Sequence, residues 1–447
     1  MIVFSLEKQK MVSKEMEAVV MSEFDKVIGY SDIKAELIRL CDVLKNMDKY
    51  KRLGVTMPRG LLLYGDPGIG KTMMAKSFIK ESGYKSFVLR KDKPDGDFVN
   101  EIRDVFSKAK EEHSAIVFLD DMDKFANEDD YHRDAEEYVT VQACIDDCRD
   151  TGVFVLATAN DKYCMPDSLI RAGRFDKSIE MKYPTGDDAK KIVEYYLSQK
   201  QVMGDIDIDD ISRLLEGKSC AVLEMVINEA GIIAGFDNRD RIEQDDLLKA
   251  CMRMIFDAPE SVERSEEKYL RNVAIHEAGH ALVAEVLDPD SVSLVSICHY
   301  TGATEGVVVI HKADDFDFSI IAQEHEVIRK LGGKAATEVV LGVPDIGCND
   351  DLHRAFDLVT KFVDNYCSYG FDAFVNRQPS DHLLENKERL VAVEMDRYYR
   401  QAKKIISENM ERLNAIVQGL LEKKTLTYKD IREIFRENTG IAVNNVR

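Results

Sequence analysis

In the stretch NVAIHEAGHAL, residues 272–282, two histidines stand four positions apart. In a helix such positions share a face, so His276 and His280 can offer two imidazole nitrogens to one Zn²⁺ while Glu277 stands beside them as general base. The plain alternative is a helix with two surface histidines. A catalytic zinc needs a third protein ligand and an open position. Downstream, GCNDDLHRAFDL offers Asp350 and Asp351, and LGGKAATEVVLG offers Glu338. An acidic chain has spare carboxylates everywhere, so the residues alone leave this choice open.

A second chemistry lies upstream. LLLYGDPGIGKTMMAKSF reads as a buried strand, a glycine-rich turn and a helix, the context of a P-loop. Gly65, Asp66, Pro67, Gly68, Ile69 and Gly70 form the loop, whose glycines let backbone N–H groups wrap the phosphates, Lys71 reaches the β and γ phosphates, and Thr72, followed by Met73, gives a hydroxyl to Mg²⁺. The strand in AIVFLDDMDKF ends in Asp120, placed to hold the magnesium, and Asp121, placed to orient the attacking water. VFVLATAN delivers Asn160 toward the γ-phosphate. SLIRAGRFDK presents Arg171 and Arg174, which read either as a salt-bridged face or as arginine fingers.

These groups need elements to position them. Apolar runs (GLLLY, AIVFLDD, GVFVLATAN) alternate with amphipathic stretches over residues 21–185, which predicts a parallel sheet flanked by helices. Residues 186–257 carry helical periodicity with no strand-like run, a small helical subdomain, and 258–270 is a charged connection. From 271 the pattern is mainly helical, with one β-like insertion at SVSLVSICHYTGATEGVVVI. At 447 residues, 45% hydrophobic and 32% charged, the chain has the composition of a globular protein of two or three domains. A net charge of −21 argues against a nucleic-acid partner. Nine cysteines without a CxxC pair read as reduced thiols of a cytosolic protein. The N-terminus lacks the apolar run of a signal peptide, and no apolar run approaches the ~18 residues of a membrane span.

In order, FDKVIGYSDIKAEL, GDPGIGKT, AIVFLDDMDKF, ATAN, IRAGRFDK and GKSCAVLEMVINEA resemble the motifs of AAA+ ATPases. The resemblance implies that Val27, Ile28 and Gly29 flank the adenine, that Arg171 and Arg174 reach a neighbouring subunit's ATP, and that the chain forms a ring, typically a homo-hexamer. HEAGHALVAEVL, LGGKAATEVVLG, CNDDLHRA and SYGF then resemble the peptidase domain of FtsH-type ATP-dependent zinc metalloproteases. Covering essentially residues 21–435, this likeness implies Asp351 as the third zinc ligand and EGVVVI as an edge strand to which a polypeptide substrate adds.

The implied architecture is an N-terminal extension (1–20), an α/β P-loop AAA+ domain (21–185) with a helical lid (186–257), a linker (258–270) and a mainly α-helical zinc metallopeptidase domain (271–447). Three departures stand out. The family's transmembrane anchor and extramembrane domain are missing from the sequence, so soluble substrates are expected. Asp121 replaces the family's glutamate. The aromatic-Val-Gly loop that grips substrate has no counterpart near KDKPDGDFVNE, where Phe98 is the nearest aromatic. The reading is a soluble, hexameric, cytoplasmic protease that uses ATP, Mg²⁺ and Zn²⁺ to unfold and degrade proteins. A second reading is an AAA+ remodeller with a structural peptidase domain. A third is a zinc peptidase with a nucleotide-gated scaffold.

Overall fold

The run GLLLY becomes a strand, β1 (Gly60–Tyr64), whose alternation sends Leu61 and Leu63 to one face and Leu62 to the other, all fully buried. The computed structural model describes residues 22–91, 97–112, 114–125, 135–149, 151–171, 173–200, 206–255, 267–298, 306–311, 319–343, 347–370 and 380–437. The expected N-terminal extension and most of the expected linker lie outside them. With β2 (Lys85–Leu89), β3 (Ala115–Leu119), β4 (Val153–Ala159) and β5 (Lys177–Glu180), β1 builds a parallel sheet in the order β2-β3-β4-β1-β5.

A parallel sheet needs cover on both faces. One face packs Leu61, Leu63, Ile116, Phe118, Phe154 and Leu156 against helices α1 (Ser31–Lys45) and α2 (Lys71–Ser82). The other packs Leu62, Val117, Leu119 and Val155 against α3 (Phe98–Lys110) and α4 (Ala135–Asp147). In this register Leu63 lies beside Thr158 and Leu119 beside Ala157. The carboxyl ends of β1, β3 and β4 therefore release the P-loop, Asp120 and Asn160 at one edge, where open α/β sheets bind ligands.

After β5 come α5 (Gly186–Ser198), α6 (Ile208–Leu215), α7 (Cys220–Phe236) and α8 (Gln244–Ile255). The described residues up to 200 form one compact unit with Glu216–Ile227; residues 206–215 form a second with those from Asn228 onward.

The centre of the second unit is α9 (Glu267–Leu287), buried almost continuously from Val273 to Glu285. It is wrapped by α10 (Ile320–Lys330), α11 (Gly332–Leu341), α13 (Asp381–Glu408) and α14 (Met410–Lys423). Between α11 and α13, α12 (Asn349–Asp364) packs on α10 and α13. At the α9–α11 crossing the backbones nearly touch: a Cβ on Gly279 would lie 2.5 Å from the Gly332 carbonyl oxygen. The β-like insertion forms β6 (Val292–Ser296) and β7 (Val307–Ile310), antiparallel, and β8 (Thr425–Thr427) joins on the far side of β6 before α15 (Tyr428–Glu437). The buried Glu285 carboxylate accepts backbone N–H bonds from Asp290 (2.9 Å) and Val292 (2.6 Å), tying the end of α9 to β6. Among the described residues no helix is long and apolar enough to cross a membrane.

Candidate metal centre and nucleotide site

One helical turn on α9 brings the Nε2 atoms of His276 and His280 to 3.0 Å of each other. The first turn of α12 adds Asp351, whose Oδ2 lies 3.1 Å from His280 Nε2 and 3.5 Å from His276 Nε2. The three donor atoms fall within 4.8 Å of one another. Of the three candidate carboxylates, Asp350, Asp351 and Glu338, only Asp351 joins the pair. Asp350 points to solvent, and Glu338 is held elsewhere by Tyr399, Lys403 (3.3 Å) and Lys334 (3.5 Å). Burial alone would push the Asp351 carboxyl up, but hydrogen bonds from both histidines outweigh it and hold it well below the usual carboxylate range.

The surroundings suit an ion. His280 Nδ1 lies 2.7 Å from the Arg329 carbonyl oxygen at the end of α10; donating there leaves Nε2 free as a ligand. A Cβ on Gly333 would lie 2.5 Å from both Nε2 atoms, so only glycine leaves that space open. Two imidazoles and a carboxylate are a zinc-type donor set, and these residues fit the metal. Glu277 is 9% exposed and faces a hollow of about 230 Å³ lined by the triad, Val307, Val308 and Ile310 of β7, Lys330 and Arg354. The β7 strand begins right against this acid, since a Cβ on Gly306 would lie 2.5 Å from Glu277 Cγ.

In the other unit, Gly65 (φ 140°) and Gly70 (φ 94°) turn the P-loop, and the fully buried Ile69 pins it to the core, while Asp66, Pro67 and Gly68 are exposed. Met73, on the first turn of α2, is 55% exposed. Lys71 Nζ bonds the carbonyls of Gly65 (2.7 Å) and Asp66 (2.8 Å) and Asn160 Oδ1 (3.0 Å). Burial lowers its pKa, against the opposing pull of Asp123, Asp121, Asp66 and Asp120. Thr72 Oγ1 donates to Asp120 Oδ1 at 3.0 Å, so the two expected magnesium groups are adjacent. Thr158, which no motif reading singled out, braces both acids: its Oγ1 donates to Asp120 (2.8 Å) and accepts from the Asp121 N–H (3.0 Å). Val27, Ile28 and Gly29 line an open hollow of about 500 Å³ together with Lys191, Glu194, Tyr195 and Ser198 of α5.

Comparison with known proteins gives matches over both units. The family model for the ATPase family associated with various cellular activities (AAA) matches residues 61–183, and that for peptidase family M41 matches 263–434. The ATP-dependent zinc metalloprotease FtsH 2 of Symbiobacterium thermophilum is 31% identical over 439 residues, 92% of this chain and 74% of that protein. FtsH 2 of Thermoanaerobacter sp. is 28% identical over 94% of this chain and 84% of its own length. This chain belongs to the FtsH family of ATP-dependent zinc metalloproteases. Its fold is that family's pairing of an AAA nucleotide-binding domain with a mainly helical M41 peptidase domain.

Against the FtsH pattern, two expected residues are placed unequally. Arg171 is exposed, whereas Arg174 is 4% exposed, with its guanidinium paired to Asp146 of α4 (2.7 Å) and bonded to the Ser168 carbonyl. Phe98, the nearest aromatic to the loop expected to grip substrate, opens α3. It is 8% exposed in the sheet core, edge-on to Phe125 at 5.1 Å. Residues 92–96 of the expected gripping loop lie outside the described residues, and their sequence, Asp-Lys-Pro-Asp-Gly, contains no aromatic. The sequence reading also passed over Gly333, Arg329 and Asp123. The doubled glycine of LGGKAATE is the available signal for the first and the third aspartate of AIVFLDDMDKF for the last; Arg329 has none.

Proposed function

We propose that this FtsH-family protein hydrolyses ATP at the P-loop and peptide bonds at the His276–His280–Asp351 centre. The observation that carries this reading is the meeting of three zinc-type donors beside a buried glutamate, in a chain that also builds a P-loop with its acid and asparagine in place. His276, His280 and Asp351 would hold Zn²⁺, which when bound polarises the peptide carbonyl and activates water. Glu277 takes the proton of the nucleophile on its carboxylate and returns it to the leaving amine. An extended substrate pairs with β7, which sits at the sheet edge against Glu277.

In the nucleotide site, residues 65–70 and Lys71 cradle the phosphates, Thr72 and Asp120 hold Mg²⁺, Asn160 reads the γ-phosphate, and Val27, Ile28 and Gly29 flank the adenine. Arg171 acts across a subunit boundary in a hexameric ring; Arg174 shapes the segment that presents it. The domain limits are 21–185, 186–257 and 271–447, and the working compartment is the cytoplasm. Degradation of casein by the purified chain, with and without ATP and with a zinc chelator, tests the reading. Loss of cleavage on either omission supports it, whereas chelator-resistant cleavage rejects it. The buried Phe98 favours a narrower variant, in which nucleotide gates the peptidase and pulling is weak. On that variant a loosely folded chain is degraded and a stably folded one is not.

A further inference from the structure

Asp121, the acid that the sequence assigns to the attacking water, shares one carboxylate oxygen with a half-exposed lysine. Its backbone is left-handed (φ 55°), and its Oδ2 lies 2.7 Å from Lys124 Nζ. It is also one methylene shorter than a glutamate. Asp123, two residues on, has the more suitable placement. Asn160 Nδ2 donates to Asp123 Oδ2 at 3.1 Å, and the same amide's Oδ1 accepts from Lys71 Nζ at 3.0 Å. A continuous hydrogen-bond chain thus runs from the P-loop lysine to Asp123. The other carboxylate oxygen, Oδ1, is buried and has no hydrogen-bond partner among the described residues. Of the four carboxylates whose charge favours the Lys71 ammonium, Asp123 acts most strongly. A buried acceptor without a protein donor is costly and is characteristically found where function requires it.

We infer that Asp123, rather than Asp121, is the catalytic carboxylate that accepts the proton of the water attacking ATP. This rests on the reading that the P-loop site hydrolyses ATP. The water oxygen bonds to the γ-phosphorus as the bond to the β–γ bridging oxygen breaks, and that electron pair leaves with ADP. The water proton passes to Asp123 Oδ1 and goes to solvent as phosphate departs. Asn160 is a positioning residue: by holding Oδ2 it fixes the direction of Oδ1.

The test compares steady-state ATPase and affinity for a fluorescent ATP analogue in the full chain, in Asp123→Asn and in Asp121→Asn. Asparagine at 123 keeps an oxygen for the Asn160 amide but removes the charge, so a purely structural role would survive the change. The expected result for Asp123→Asn is a kcat lowered by about 100-fold or more, the scale of a lost acid–base group, with nucleotide affinity within about threefold of wild type. Asp121→Asn is expected to lose less than about tenfold. An Asp123→Asn variant within about tenfold of wild type, or an equal or larger loss in Asp121→Asn, overturns the assignment. Should Asp123→Asn fail to fold or to bind nucleotide, Asp121→Asn decides alone: a loss below about tenfold supports the inference, and a loss near 100-fold overturns it. A wild-type chain that binds nucleotide without hydrolysing it would instead reject the ATPase reading, and this inference with it.

Discussion

Replacing Gly333 with alanine asks whether the space beside the two histidines is reserved for a metal. The added methyl carbon would lie 2.5 Å from both His276 Nε2 and His280 Nε2, about 0.9 Å inside the 3.4 Å at which ordinary contact begins. Zinc–ligand distances tolerate only about 0.2 Å, so rings that retreat by several times that amount no longer form the site. Zinc affinity should fall by about 100-fold or more, at least the scale seen when groups supporting a metal site are lost. The fold should survive, because Gly333 stands in the first turn of α11 without a positive φ, a backbone that alanine adopts readily. Competition for zinc against a chromophoric chelator measures the first effect, and thermal melting of the metal-free protein measures the second. Gly279→Ala is the contrasting case. Its methyl would meet the Gly332 carbonyl oxygen at 2.5 Å and Ala336 Cβ at 2.6 Å, neither of which can swing aside. That variant should lose about 1–3 kcal/mol of stability even without metal, the usual cost of overpacking. A Gly333→Ala protein binding zinc within about threefold of wild type would refute the reasoning, since the tolerance argument leaves no route to an intact site.

Further outcomes follow from the geometry. Arg174→Ala should destabilise its unit by about 1–3 kcal/mol in denaturant titrations, because it leaves the Ser168 carbonyl and Asp146 without their partner. Arg171→Ala should change stability by less than about 0.5 kcal/mol while ATPase activity collapses with nucleotide binding intact; the reverse pattern would exchange their roles. Hydrogen bonds from Arg174 hold the Asp146 carboxyl below its ordinary range. The unfolded chain therefore takes up the proton first: this stability is present above about pH 4 and lost as pH falls through the lower folded value. Melting temperatures measured from pH 6 to pH 3 should fall less steeply in Asp146→Asn than in wild type, and parallel curves would refute the linkage. Glu277→Gln should keep its zinc and lose cleavage, and Glu338→Ala should keep zinc too, both read by metal analysis. Zinc loss in Glu338→Ala would contradict its engagement by Tyr399 and Lys403.

What could be read from the sequence was what local geometry decides. The His276–His280 pair needs only a helix, and the P-loop needs only a strand, glycines in the turn and a helix, so both were legible from spacing. Asp351 was not legible from spacing alone, because its approach depends on how α12 packs against α10 and α13. Arg171 and Arg174 look alike in sequence. They part because Asp146, on α4, captures only the second. Phe98 is the nearest aromatic to the KDKPDGDFVNE loop in sequence, but α3 starts there, and its ring fills the core beside Phe125.

The same logic reaches the metal centre through a residue that no motif contains. His280 is oriented by the Arg329 carbonyl, and the Arg329 side chain is anchored by Asp288 (2.7 Å) and Glu326 (2.5 Å). Asp288 also lies 3.0 Å from His325 Nδ1, so the end of α9 and the last turns of α10 are held together by one carboxylate. The imidazole that would bind zinc through Nε2 thus takes its direction from an ion pair eight residues further along its own chain. Its position relative to the metal is a property of the α9–α10 packing, and the HExxH spacing supplies only the face on which it stands.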